Sequence, residues 1–110
     1  MKEKAFENKI KAYLKSKGCF VLKYNPEFFG QAGTPDLLIC CNGYFLGIEV
    51  KQERGKPSKL QLEKIEQIQN AGGISFVLKP SGFEDFKKLV EGLLNEKSKS
   101  TDTKRFWRLH

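Results

Sequence analysis

The chain has 110 residues, 39% of them hydrophobic and 30% charged, with nine Phe. That is enough for one domain with its own core, and it excludes a fully disordered chain or one that must replace a core with disulfides or metals. No apolar run approaches the ~20 residues of a membrane span, and the N-terminal MKEKAFENKIK is charged where a signal peptide is apolar, so a cytoplasmic protein is expected. Cys19, Cys40 and Cys41 show no CxxC spacing. This argues against a disulfide framework or a zinc site and for reduced thiols, with Cys40 and Cys41 serving as small apolar strand residues.

The net charge of +7 is unevenly spread. Residues 1–24 hold seven Lys and two Glu, residues 96–110 five basic and two acidic side chains, and residues 25–95 eight basic and nine acidic. Basic flanks around a slightly acidic centre suit a polyanion partner with a metal-collecting middle; solubility alone explains the same balance equally well.

In chain order, Phe6, Ile10, Tyr13 and Leu14 recur at helical spacing, predicting an amphipathic helix over 3–17 that Gly18 stops. CFVLKY (19–24) is a strand, and NPEFFGQAGTP (25–35) a loop. DLLICC (36–41), Asn42-Gly43 and YFLGIEVK (44–51) form a hairpin, because Asn-Gly supplies both positive φ angles of a type I′ turn. After a polar loop, Ser58 is the N-cap of a second helix with Leu62, Ile65, Ile68 and Gln69 in its body and Gly72-Gly73 at its end. ISFVLK (74–79) is a fourth strand, and residues 82–95 form a third helix on Phe83, Phe86, Leu89, Val90 and Leu93. The order αβββαβα implies an α/β domain over 1–95, with a mixed sheet and helices on both faces. Residues 96–110 read as a mobile basic tail.

The hairpin permits a geometric deduction. With a two-residue loop, facing positions sum to 85, so Asp36 lies across from Glu49, on the same face and with Cβ atoms roughly 4.5–5.5 Å away. Lys51, two residues on, shares that face. Like charges set opposite each other destabilise a sheet. Two readings fit: a hard divalent cation, Mg²⁺ or Mn²⁺, sits between the carboxylates; or Asp36 caps the Thr34-Pro35 turn while Glu49 pairs with Lys51 or Arg54.

Gly33-Thr34-Pro35-Asp36 followed by Ile48-Glu49-Val50-Lys51 resembles the PD-(D/E)xK nuclease signature. With the downstream Ser58-Lys59-Leu60-Gln61, it is similar to the VRR-NUC (virus-type replication-repair nuclease) family, especially its small stand-alone phage-type members, over about Glu7 to Leu94. The resemblance implies a restriction-endonuclease-like αβββαβ core and a Mg²⁺- or Mn²⁺-dependent deoxyribonuclease. Asp36 and Glu49 would be metal-binding carboxylates, with the Val50 carbonyl completing the shell. Lys51 would orient the attacking water or stabilise the phosphate. Glu7 would reach the site directly or through water, or else be a solvated helix glutamate. Gln61 would touch the site or a phosphate, or else be helix surface. Lys23, Arg54, Lys56 and Lys59 would face the DNA backbone, although a solvated loop explains the last three. The resemblance further implies a homodimer acting on structured or branched DNA, in a bacterial host cell if the chain is phage-encoded.

Other chemistries fail. His110 is the only histidine, Gly55-Lys56-Pro57-Ser58 lacks the spacing of a P-loop, and there is no GxSxG. Phe28-Phe29 is loop packing or, as a second option, a wedge against unstacked bases. The reading is thus a metal-dependent DNA endonuclease, with a non-catalytic nucleic-acid-binding module of the same fold as its alternative.

Overall fold

Asn42 and Gly43 carry φ angles of 53° and 85°, so the tight turn forms as its dipeptide dictates, and the register follows from it. In the computed structural model, which describes residues 1–25, 31–98, 101, 103, 104 and 106, β2 (Leu37–Cys41) and β3 (Tyr44–Val50) pair antiparallel from Cys41↔Tyr44 to Leu37↔Ile48. The sum of 85 is the observed register. Edge strand β1 (Phe20–Lys23) joins β2 antiparallel, and β4 (Ile74–Leu78) joins β3 in parallel, giving a mixed sheet in the order β1-β2-β3-β4. Phe28-Phe29 and most of residues 99–110 lie outside the described residues.

Strand alternation sends Leu37, Ile39, Cys41, Leu46, Ile48 and Val50 to one face, all essentially buried. Helix α1 (Glu3–Ser16) covers them with Phe6, Ile10 and Leu14, and α3 (Phe83–Leu94) with Phe83, Phe86, Val90 and Leu93. The turn is tied into this layer, since the Asn42 side-chain amide donates to the Leu93 carbonyl at the end of α3 (2.8 Å). Cys41 is a buried strand residue as expected, whereas Cys40, on the opposite face, is exposed.

The second face is covered only over β3 and β4, by α2 (Lys59–Asn70). Gly47 admits this helix: a Cβ there would stand 2.7 Å from Ile68 Cδ1. Ser58 caps α2 as predicted. Of the apolar residues expected on its inner side, Ile65 is buried and Ile68 half-buried, but Leu62 is 50% exposed; the helix reaches too little of the sheet to cover all three. Phe20 (66% exposed), Leu22 (40%) and Phe45 (45%) remain open on this face. A 3₁₀ turn, Pro80–Gly82, precedes α3, which begins at Phe83, one residue later than expected. Pro80 fixes the φ of its first residue. The chain is therefore α/β with helices on both faces, consistent with a restriction-endonuclease-like core. Among the described residues no helix is long and apolar enough to cross a membrane.

Candidate active site

Asp36 stands at the end of β2, just outside the ladder, and its backbone and side chain both extend the sheet. Its carbonyl accepts from Tyr24 N–H (2.8 Å) and its Oδ2 from Val50 N–H (2.8 Å). The loop ahead of it is fixed by two residues. Pro35 is buried, and Gly33 has φ +83° with its open side against α2, where a Cβ would lie 2.6 Å from Leu60 Cγ and 2.9 Å from the Leu60 carbonyl oxygen. GTPD is thus a packing unit as well as a motif.

One step beyond Leu37↔Ile48, the register sets Asp36 opposite Glu49. Glu49 is 2% exposed on central strand β3. Its Oε2 meets Lys51 Nζ at 3.3 Å, and its Oε1 is buried with no hydrogen-bond partner among the described residues. Burial first, and the negative charge of Asp36 second, push its pKa up to about 7 against the opposing pull of Lys51. The carboxylates thus share one face as the register implies, and Glu49 pairs with Lys51. Arg54 is exposed and takes no part in this pair.

Glu7 points inward from α1, 4% exposed. It meets lysines rather than the other carboxylates: Lys23 Nζ at 2.6 Å from Oε1, and Lys11 Nζ and Lys4 Nζ at 3.5 and 3.9 Å from Oε2. Oε2 accepts no hydrogen bond from either. Lys23 also lies 3.6 Å from Asp36 Oδ1 and so links the helix carboxylate to the strand carboxylate. Burial works against the charge on Lys23, but its hydrogen bond to Glu7 and the nearby Asp36 prevail, and its pKa lies above the ordinary lysine value. The reading of Lys23 as a backbone contact missed this pairing. Spacing alone could have flagged Lys4-Glu7-Lys11 (i, i+3 and i, i+4), whereas Lys23 meets Glu7 only through the tertiary packing of β1 beside α1.

The Gln61 side chain closes a capping box. Its Oε1 accepts from Ser58 N–H (2.8 Å), while Ser58 Oγ accepts from Gln61 N–H (3.1 Å). Gln61 nevertheless lines a hollow of about 350 Å³ with Lys23, Tyr24, Asn25, Gly33, Thr34 and Asp36, so a structural role and a place beside the site coexist. A similar hollow of 360 Å³ at the far end of the sheet, around Gly43, Phe45 and Ile74, holds no carboxylate or amine. Arg54, Lys56 and Lys59 are exposed on the loop and helix start after Lys51. Sequence reasoning also missed Glu53, whose carboxylate accepts from Ser81 N–H (2.8 Å) and Ser81 Oγ (2.6 Å) and anchors this basic loop to the turn before α3.

Among the described residues no three His, Cys, Asp or Glu side chains close into a ready cage. Mg²⁺ does not need one: it is commonly held by one or two carboxylates, with waters and phosphate oxygens completing the shell. Asp36 and Glu49 could supply those carboxylates, and the orphaned Glu49 Oε1 is an uncommitted hard ligand at their meeting point. The donor set fits a hard divalent cation, with the Lys51 ammonium beside it at 3.3 Å from Glu49 Oε2.

No curated protein and no solved structure matches the chain. Residues 1–95 match the family model of the archaeal Holliday junction resolvase (hjc), a span that holds Glu7, Asp36, Glu49, Lys51 and Gln61. The nuclease superfamily indicated by the motifs is thus reached through a family other than VRR-NUC, and the match speaks to no phage origin. With this fold and nearly the whole chain matched, the protein belongs to the Hjc family of archaeal Holliday junction resolvases, within the PD-(D/E)xK nuclease superfamily.

Proposed function

We propose that the protein is a Mg²⁺- or Mn²⁺-dependent endonuclease that hydrolyses phosphodiester bonds in branched DNA, a Holliday junction being the type substrate. The observation that carries this reading is the meeting of Asp36, Glu49 and Lys51 at one end of the hairpin, with Glu49 Oε1 buried and unpartnered. A divalent cation held there supplies neutralisation of the charge that builds on the phosphate. Lys51, 19% exposed in its side chain and 3.3 Å from Glu49, holds the attacking water or a non-bridging phosphate oxygen. Lys56, Lys59 and Arg54 take the neighbouring phosphates, and the basic side chains of 96–110 add further backbone contacts. The Gln61 amide nitrogen, its oxygen tied to Ser58, donates toward the substrate from the rim of the hollow.

Cutting two strands of a junction in one encounter requires two sites, which a two-fold homodimer provides. The open sheet face of Phe20, Leu22, Leu38, Cys40 and Phe45 supports this: none of these five residues is charged, so two chains of +7 can approach there.

The test is cleavage of a four-way junction and of a linear duplex built from the same arms, with Mg²⁺, with Mn²⁺ and with chelator. Junction cleavage that needs either ion and is lost in Asp36→Ala is expected. Cleavage that survives chelator or Asp36→Ala, or its absence under both ions at stoichiometric protein, refutes the reading.

A further inference from the structure

The ammonium of Lys23 bridges Glu7 and Asp36, 2.6 Å from the first and 3.6 Å from the second, and so occupies the surroundings of one of the two carboxylates that would hold the cation. We propose that Lys23 is the resident counter-ion of the metal-free site: divalent-cation binding expels its ammonium from the carboxylates, and it then takes a DNA phosphate at the mouth of the neighbouring hollow. This rests on the metal-dependent reading above and adds to it a coupling between cation and DNA that the bare ligand set does not contain.

Three observations single out Lys23. The first is that Glu7 retains other ammonium groups nearby when Lys23 leaves, although it gives up its hydrogen bond from Lys23. Glu7 keeps Lys11 and Lys4 at 3.5 and 3.9 Å, and Asp36 keeps the Val50 N–H at 2.8 Å. Lys51 has no such freedom, because its departure would strip Glu49, already short of a partner at Oε1, of its ammonium.

The second is position. Lys23 is the last residue of edge strand β1 and its side chain is 42% exposed, so its head reaches solvent by rotation about its own stem. The third is the space beside it. Lys23 lines the 350 Å³ hollow with Asp36, Asn25, Thr34 and Gln61, polar walls open to a phosphodiester.

Electrostatics gives the direction of the coupling. A unit positive charge this close to Asp36 opposes a second cation at the same carboxylate, so the lysine and the divalent ion compete. Once displaced, the ammonium has lost its anionic partners and gains most from the polyanion. Cation binding therefore raises DNA affinity through Lys23, and by linkage DNA raises cation affinity equally.

The experiment uses the full chain and three readouts other than cleavage. Calorimetric titration with Mg²⁺ alone compares wild type, Lys23→Met and Lys23→Gln, all checked for folding by circular dichroism, with Lys23→Arg as the charge-preserving control. Removal of the competitor is expected to tighten Mg²⁺ binding on the order of tenfold, with Lys23→Arg close to wild type. Junction affinity with Ca²⁺ against chelator should rise more for wild type than for Lys23→Met. In wild type without any substitution, the rate of reductive methylation of Lys23, read by peptide mass spectrometry, should increase on addition of Mg²⁺. Weaker or unchanged Mg²⁺ binding in Lys23→Met and Lys23→Gln, or a Lys23 labelling rate indifferent to Mg²⁺, overturns the exchange while leaving the metal site standing. A wild-type chain that takes up no Mg²⁺ or Mn²⁺ overturns both.

Discussion

Glu49 buries a carboxylate on a central strand, and the price appears as a pH dependence of stability. Its pKa is raised from 4.5 to about 7. Below 4.5 it is protonated in folded and unfolded chains alike, and the folded state bears no burial penalty. Between 4.5 and 7 the unfolded chain ionises first, so stability falls as pH rises and the loss is complete above 7. At about 1.4 kcal/mol per tenfold change in proton affinity, the displacement corresponds to at most about 3–4 kcal/mol. Relaxation and solvent at the open end of the site reduce this to about 1–3 kcal/mol.

Glu49→Gln keeps the shape and removes the titration. In chelator, the melting temperature of the wild type should drop relative to Glu49→Gln by about 4–10 °C between pH 5 and pH 8. The window is clean, because the only histidine of the chain is His110. Saturating Mg²⁺ at pH 8 should recover most of the loss in the wild type and none in the variant. Scanning calorimetry that shows the two proteins tracking each other from pH 5 to pH 8 refutes the argument that Glu49 is held against its ionisation.

Lys51→Ala should lower the single-turnover cleavage rate by about two orders of magnitude or more, with junction affinity changed far less; a variant that cuts at the wild-type rate once bound makes Lys51 a phosphate contact only. Lys56→Ala with Lys59→Ala should do the opposite, shifting the slope of log affinity against log salt by about two phosphate contacts while cleavage at saturation persists. Gly33→Ala places a Cβ at φ +83° against Leu60 and should cost about 1–3 kcal/mol in denaturant unfolding. It should also weaken Mg²⁺ binding by displacing Asp36, whereas an unshifted midpoint shows that the loop is free to move. Leu22→Glu on the open sheet face should give a monomer by light scattering where a dimer is expected of the wild type, and a wild type that is itself monomeric at tens of micromolar removes the proposed two-site arrangement.

The geometry legible in the sequence was the geometry set by local rules. Asn42-Gly43 dictates a two-residue turn, the turn dictates the register, and the register alone sets Asp36 opposite Glu49 with Lys51 beside it. The buried face of the hairpin follows from the same alternation. What could not be read depends on packing between elements distant in sequence. Glu7 lies at the edge of the α1 apolar face, and nothing in the α1 sequence says that a third ammonium, from Lys23, joins Lys4 and Lys11 around it. Lys23 looks like any lysine ending an edge strand until β1 is placed beside α1. The exposure of Leu62 follows from how far α2 extends over the sheet, which its own periodicity does not encode. Gln61 was legible twice, as the N3 residue of a capping box and as a motif residue, and the structure shows the first without excluding the second.

The partners of the three carboxylates divide their roles. Asp36 spends Oδ2 on the Val50 N–H and thereby fixes its own position against β3. Glu7 is surrounded by Lys4, Lys11 and Lys23, which makes it an organiser of positive charge more than a donor waiting for a metal. Glu49 alone combines deep burial, an oxygen without a partner and a strongly disfavoured ionised form. A stable fold would place Val or Leu at that position of a central strand, as it does at Ile48 and Val50 on either side. A chain that keeps a carboxylate there accepts lower stability in the absence of a cation. This is why stability measurements with and without Mg²⁺ probe the catalytic reading directly: the group with most to gain from a divalent ion is the one the metal-free fold satisfies least.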